Sequence, residues 1–200
     1  MTGGGEFPLP TFTPAPHSPA MSAPRTNIVL IGFMGSGKSS IGRLVAGRLG
    51  FQFVDTDTLL TERDGREIAE IFARDGEARF REMEKSVLES LGTRDRCVIS
   101  TGGGVILREE NRALLRGLGF TVWLTASEDV IYARVSRNTK RPLLHTANPR
   151  ETVTQLLAAR RPLYEAAAQL TIDTSTLSHA QAAEAVMVAA RRAFSWDTAG

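Results

Sequence analysis

Residues 32–39 read Gly-Phe-Met-Gly-Ser-Gly-Lys-Ser, three glycines, a lysine and a hydroxyl at the spacing G-x-x-x-x-G-K-[ST]. Each of these residue types has a physical task at a chain of phosphates. Gly32, Gly35 and Gly37 lack a Cβ, so they reach backbone angles closed to other residues and let an anion touch the main chain. Successive amides and a helix N-terminus then point positive dipoles at that anion. Lys38 adds a mobile cation for the outer phosphates. Ser39 offers an oxygen to Mg²⁺, an ion that prefers such ligands and retains several waters. The same glycines also suit a turn that binds nothing, and the flanks decide between the two. Before the loop runs an apolar, β-branched stretch at 27–31. After it, Ile41, Leu44, Val45 and Leu49 recur at helical spacing. Strand, glycine loop and helix in succession are the context that phosphate binding requires.

Three further constellations carry chemistry. Residues 51–57, Phe-Gln-Phe-Val-Asp-Thr-Asp, form an apolar strand ending in two acids. Ligands of open α/β sheets bind at the carboxyl ends of strands, and Asp55 and Asp57 share one side if the strand continues. One acid suits Mg²⁺; the other suits a proton taken from a substrate hydroxyl; a helix cap is the structural alternative for either. Thr101-Gly102-Gly103-Gly104 follows the stretch 96–100 and permits close backbone approach to a ligand, as a plain tight turn also does. Arg81 and Glu84 lie three residues apart and meet on one helix face. Arg81, Arg141 and Arg160 are each candidates for two-point recognition of a carboxylate or phosphate, or else ordinary surface charges.

The elements that must position these groups alternate along the chain. The pattern predicts strands at 27–31, 51–54, 96–100, 120–124 and about 170–173. It predicts helices at 38–49, 56–64, 67–74, 77–91, 108–117, 128–136, 150–168 and 178–194. Alternation of this kind predicts a three-layer α/β/α fold around a five-stranded, parallel sheet. The long helical stretch at about 56–91 predicts a lobe over the site. Residues 137–149, polar, basic and interrupted by Pro142 and Pro149, predict a lid loop.

Two hundred residues with 42% hydrophobic and 23% charged content suit one domain, expected over 25–195, with a short tail at 196–200. A net charge of +2 argues against a general nucleic-acid binder. No apolar run approaches a membrane span, so a cytoplasmic protein is expected. The single cysteine, Cys97, excludes an internal disulfide and reads as a packed strand thiol. Residues 1–24 hold six prolines and one charged residue, Glu6, a composition that predicts disorder. Met21 offers an alternative start just before the domain.

Taken together, these segments resemble the shikimate kinases. The resemblance spans roughly residues 26–194. It rests on the phosphate loop, Asp-Thr-Asp at 55–57, Ile-Phe at 71–72, Gly-Glu-x-x-Phe-Arg-x-x-Glu at 76–84 and Ser-Thr-Gly-Gly-Gly at 100–104. It also rests on Asn-Thr-x-Arg-Pro-Leu-Leu at 138–144 and Arg-x-Pro-Leu-Tyr at 160–164. The loop alone is common to many kinases; the later four segments, in order, are far more specific. The resemblance implies transfer of the γ-phosphoryl group of ATP to the 3-hydroxyl of shikimate with one Mg²⁺, by a monomer, in a step of chorismate and aromatic amino acid biosynthesis. It implies Asp57 as base and binder of ring hydroxyls, and Arg81, Arg160, Gly103 and Gly104 as the grip on carboxylate and ring. Glu84 would orient Arg81, and Phe72 and Phe80 would wall the site. Gly35, Ser36, Gly37, Lys38, Ser39 and Ser40 would hold ATP phosphates, with Arg141 reaching them from the lid and Arg134 stacking on adenine. Ser39 and Asp55 would hold the metal. The adenine loop near 173–177 matches only loosely.

Competing readings are a sugar-acid kinase, such as one for gluconate, a nucleoside monophosphate kinase, and a non-catalytic nucleotide-binding protein. A carboxylated sugar acid would also want arginines. A GTPase is disfavoured because no Asn-Lys-x-Asp segment occurs.

Overall fold

Four consecutive apolar residues make strand β1 (Ile28–Ile31), and all four are fully buried. Burial on both faces is the mark of a central strand in a parallel sheet. Side chains alternate across a strand, and β1 splits accordingly. Ile28 and Leu30 join one core cluster, and Val29 and Ile31 join the other. The computed structural model, which describes residues 25–136 and 148–196, thus has two cores separated by one sheet.

The sheet holds β2 (Gln52–Asp55), β3 (Cys97–Ser100), β1, β4 (Phe120–Thr125) and β5 (Leu170–Asp173) in that order, every pair parallel. Helices α1 (Lys38–Leu49) and α7 (His179–Ala193) cover the face carrying Ile28 and Leu30. Helices α3 (Ile68–Ser90), α4 (Glu109–Leu118) and α6 (Pro149–Ala167) cover the other. Helix α5 (Glu128–Val135) packs with α6 in a smaller cluster around Phe33, Ile131, Val135 and Val153. This is the expected α/β/α sandwich with its five parallel strands, and each element lies within about two residues of its predicted bounds. Among the described residues no helix is long and apolar enough to cross a membrane.

Two details bear on the site. Helix α2 (Thr56–Asp64) and α3 form the expected lobe over their own small core of Leu60, Ile71, Phe80 and Val87. The predicted helices 67–74 and 77–91 join as α3, with Gly76 at φ 78° and ψ 172° breaking the helical run between them. At the C-terminus, Trp196 stacks edge-on against Phe51 at 5.7 Å and packs on Phe194 at 4.9 Å. Packing therefore extends one residue past the expected boundary at 195. Residues 1–24, and the stretch 137–147 that holds most of the expected lid, lie outside the described residues. Pro149, expected to end the lid, instead opens α6.

Asn27 holds the amino end of the sheet together. It is fully buried; its Nδ2 donates to the carbonyls of Arg94 and Leu118, both at 2.9 Å, and its Oδ1 accepts from the Cys97 amide at 2.9 Å. Neighbouring Cys97 is 1% exposed and burial pushes its thiol up, as expected for a packed strand thiol. Asn27→Ala would strand two buried backbone groups, at Leu118 and Cys97, and the half-buried Arg94 carbonyl, each costing about 1–3 kcal/mol if water cannot reach it. The expected outcome is a loss of about 3 kcal/mol or more in urea unfolding; a loss under about 1 kcal/mol would show that water replaces the amide.

Candidate active site

The loop after β1 reaches its shape through three glycines at positive φ: Gly32 (146°), Gly35 (80°) and Gly37 (96°). The first has no alternative, because a Cβ there would sit 2.3 Å from the Leu124 carbonyl oxygen of β4. Gly37 occupies the N-cap of α1 with no side chain to cap it, so the first-turn amides are left for another acceptor. Lys38 folds back over the loop, its Nζ donating to the carbonyls of Gly32 (2.8 Å) and Phe33 (2.9 Å). The loop opens on a cleft of about 520 Å³ lined by Gly35, Lys38, Ser39, Asp55, Asp57 and Gly103, among others.

Asp55 and Asp57 do not share a strand face. β2 ends at Asp55, and α2 begins at the next residue. Asp55 is the cap: Oδ1 accepts from the amides of Asp57 (3.1 Å) and Thr58 (3.4 Å). Its Oδ2 accepts from Ser39 Oγ at 2.8 Å, and Ser39 Oγ also lies 3.2 Å from Ser100 Oγ. Two hard oxygen donors side by side at the phosphate loop fit Mg²⁺, which takes few protein ligands and fills its remaining positions with water and phosphate oxygens. No group of three or more His, Cys, Asp or Glu residues that could hold a metal occurs among the described residues.

The turn at Gly102–Gly104 is where the acidic and basic groups converge. Its first glycine would place a Cβ 2.7 Å from Asp57 Oδ1 and 3.0 Å from Glu84 Oε1. A Cβ on Gly104 would fall 2.5 Å from both terminal nitrogens of Arg81, and one on Gly103 3.3 Å from the Met34 amide. Absent side chains thus let two carboxylates, a guanidinium and the phosphate loop approach one stretch of backbone. Arg81 is 11% exposed and pairs through Nη1 with Glu84 Oε2 at 3.0 Å and through Nη2 with Glu77 Oε1 at 2.9 Å. Glu84 is 2% exposed, and its Oε1 has no hydrogen-bond partner. Burial pushes its carboxyl up to about 7, outweighing the pull of Arg81, with the Asp57 charge adding to the rise.

On the other side of the turn, the Gly103 carbonyl accepts from the hydroxyl of Tyr164 at 2.5 Å and from Arg160 Nη1 at 3.4 Å. Arg160 also lies over the Phe33 ring at 5.5 Å, so it touches turn and phosphate loop together. Phe80 is 5% exposed in the lobe core, its ring 4.5 Å from that of Phe72 and tilted 36° to it, with Arg81 over its face at 5.2 Å. In this arrangement Phe80 supports Arg81 from below. Arg134 donates to the carbonyls of Gly35 (3.2 Å) and Thr174 (3.0 Å), tying the phosphate loop to the segment after β5.

Most of the predicted residues therefore meet: Gly35, Gly37, Lys38, Ser39, Ser40, Asp55, Asp57, Gly103 and Arg134 line the cleft, and Arg81, Glu84, Gly104 and Arg160 adjoin the glycine turn. Ser36 is buried behind the loop with an unpartnered Oγ, so only its backbone can serve a phosphate. Arg141 lies outside the described residues. Sequence reasoning placed Gly102 in the glycine run without a role of its own, and gave none to Tyr164, Ser100 or His179. His179 lines the cleft at the start of α7, where Ser178 and Gln181 form a capping box. That box was a readable signal, since it starts a helix at the carboxyl end of β5.

Comparison with known proteins agrees with this geometry. The family model described as shikimate kinase matches residues 34–191. The shikimate kinase of Thermodesulfovibrio yellowstonii is 48% identical over 161 residues, 80% of this chain and 92% of that protein. That of Geobacter metallireducens is 46% identical over 78% of this chain and 87% of its own length. The solved structure of shikimate kinase from Acinetobacter baumannii in complex with shikimate superposes with a TM-score of 0.79 at 36% identity, covering 84% of this chain and 93% of that one. A gluconokinase from Sinorhizobium meliloti shares the fold alone, with 16% identity and a TM-score of 0.53. With a family model over most of its length and relatives at 46% and 48% identity, the chain belongs to the shikimate kinase family.

Proposed function

We propose that this enzyme transfers the γ-phosphoryl group of ATP to the 3-hydroxyl of shikimate. The observation that carries the reading is the Gly102–Gly104 turn, which brings Asp57, Arg81 and Arg160 to one backbone segment beside Lys38. Arg81 and Arg160 bind the acceptor carboxylate, and that anchor leaves one of several ring hydroxyls aligned with ATP. Asp57 accepts the hydroxyl proton as the new O–P bond forms and the bond to the leaving ADP oxygen breaks. Lys38 and the amides at the start of α1 stabilise the charge on the transferred group. Mg²⁺, held by Ser39 and Asp55, supplies further positive charge at the phosphates when bound. The resemblance gives Arg141, which lies outside the described residues, the role of a further cation at the ATP phosphates. The enzyme works as a cytoplasmic monomer.

The test is ADP release with ATP and Mg²⁺ against shikimate, gluconate, a nucleoside monophosphate and no acceptor. Release with shikimate alone is expected. Release with gluconate would transfer the arginine pair to a sugar acid. Asp57→Asn should lower kcat with shikimate by about 10²–10⁴-fold while leaving ATP affinity nearly unchanged; turnover near wild type would remove Asp57 as the base.

Gly104→Ala should displace the Arg81 guanidinium, whose terminal nitrogens lie 2.5 Å from the added methyl. Loss of a charge-assisted hydrogen bond amounts to about 1.5–3 kcal/mol, so the KM for shikimate should rise about 10–100-fold and the KM for ATP should not. Equal rises in both would point to general distortion.

Glu84 gives a pH signature. Its carboxyl is raised from 4.5 to about 7 in the fold, so the folded state binds the extra proton between those values. Its contribution to stability is full below pH 4.5 and is lost as pH rises to about 7. Melting temperatures across that range should fall with pH in the wild type more steeply than in Glu84→Gln. Parallel curves would mean that Glu84 is ionised throughout.

A further inference from the structure

The segment Arg-x-Pro-Leu-Tyr ends in a tyrosine to which the reaction above gives no task. Tyr164 is 1% exposed, and its ring stacks on Trp123 at 5.6 Å with only 13° between the planes. Arg161 lies over the Trp123 ring, 5.9 Å from its centroid. A phenol held this way cannot swing. Burial also pushes its ionisation well above the usual tyrosine range, so it keeps its proton as a donor. That one proton goes to the Gly103 carbonyl at 2.5 Å, the shorter of the two bonds this oxygen accepts. The Arg160 guanidinium also bears on the tyrosine hydroxyl. The longer bond, from Arg160 at 3.4 Å, is near the limit for a useful hydrogen bond.

We propose that Tyr164 is a positioning residue for the acceptor's carboxylate: its hydroxyl satisfies the Gly103 carbonyl, fixing the glycine turn and leaving the Arg160 guanidinium available to the substrate. The inference rests on the shikimate kinase reading given above. A turn of three glycines has no side chains to pin it; Thr56 Oγ1 and the Val105 and Leu107 amides hold its two ends, and Tyr164 adds a bond from a rigid partner at its middle residue. Without that hydroxyl, the half-buried carbonyl loses its shorter bond and keeps Arg160 as its protein donor. Arg160 is already within reach of it, and a guanidinium engaged there is drawn away from the carboxylate. Tyr164 thereby acts through Gly103 and Arg160 without touching the substrate.

The test is Tyr164→Phe, which keeps the ring in its stack and removes only the hydroxyl. The KM for shikimate should rise about tenfold, with the KM for ATP unchanged and kcat reduced less than threefold. In an Arg160→Lys background the same change should raise the shikimate KM twofold or less, because both substitutions act on one carbonyl and one carboxylate. An unchanged shikimate KM, a parallel rise for ATP, or full multiplication of the two effects would overturn the proposal. Wild-type enzyme inactive on shikimate would instead remove the function on which it rests. Should the variant not fold, the wild-type protein with ¹³Cζ-labelled tyrosine answers the question, since the chain has only two tyrosines. The Tyr164 hydroxyl should exchange slowly and stay so when shikimate binds; fast exchange would also overturn the proposal.

Discussion

Everything in the cleft depends on a stretch of backbone with nothing attached to it. The Gly102–Gly104 turn touches Asp57, Glu84, Arg81, Arg160, Tyr164 and the phosphate loop, and it does so because no Cβ intervenes. Arg81 still pairs directly with Glu84 and Glu77, yet both signs of charge also border one common peptide surface, so a small acceptor can be gripped by charge and by amides at once. The cost is conformational: glycine has the most freedom to lose, and neighbours must confine it. Tyr164 on one side and the packed Arg81–Glu84 pair on the other provide that confinement.

The electrostatics follow from burial rather than from charge counting. Arg81 and Glu84 are both nearly enclosed, and an ion pair in such a place gains little once desolvation is included. Its value lies in orientation. The unpartnered oxygen of Glu84 and the upward pull on its carboxyl mark a group held in an unfavourable setting. Such settings concentrate at functional sites, where a strained group orients another. Lys38 stands in contrast, with its ammonium bonded to two carbonyls of its own loop.

Much of this was legible in the residues. The phosphate loop declares itself because its glycines answer steric demands that no other residue can meet, and Gly32 against Leu124 is the clearest case. The alternation of β1 between two cores follows from four apolar residues in a row. The acid pair was legible in part: a helix from 56 and a cap role for one acid were both on offer, and Asp55 takes the cap because its carboxylate satisfies the first amides of α2, so the shared strand face is the alternative that fails. The convergence of Arg81 and Arg160 could not be read, since they lie on different helices and only the sheet order brings them together. Tyr164 and His179 escaped because their roles arise from contacts across the fold, although the first stood inside a recognised segment and the second beside a readable helix cap.

Asp55 carries a consequence for anyone reshaping this enzyme. One of its oxygens starts the helix that bears Asp57, and the other bonds the serine that closes the phosphate loop. The acceptor half and the nucleotide half are therefore not separable modules: they hang from opposite oxygens of one carboxylate. A graft that swaps the acceptor lobe for another specificity inherits this joint, and a residue chosen there to suit the new lobe alone would unfasten the old loop.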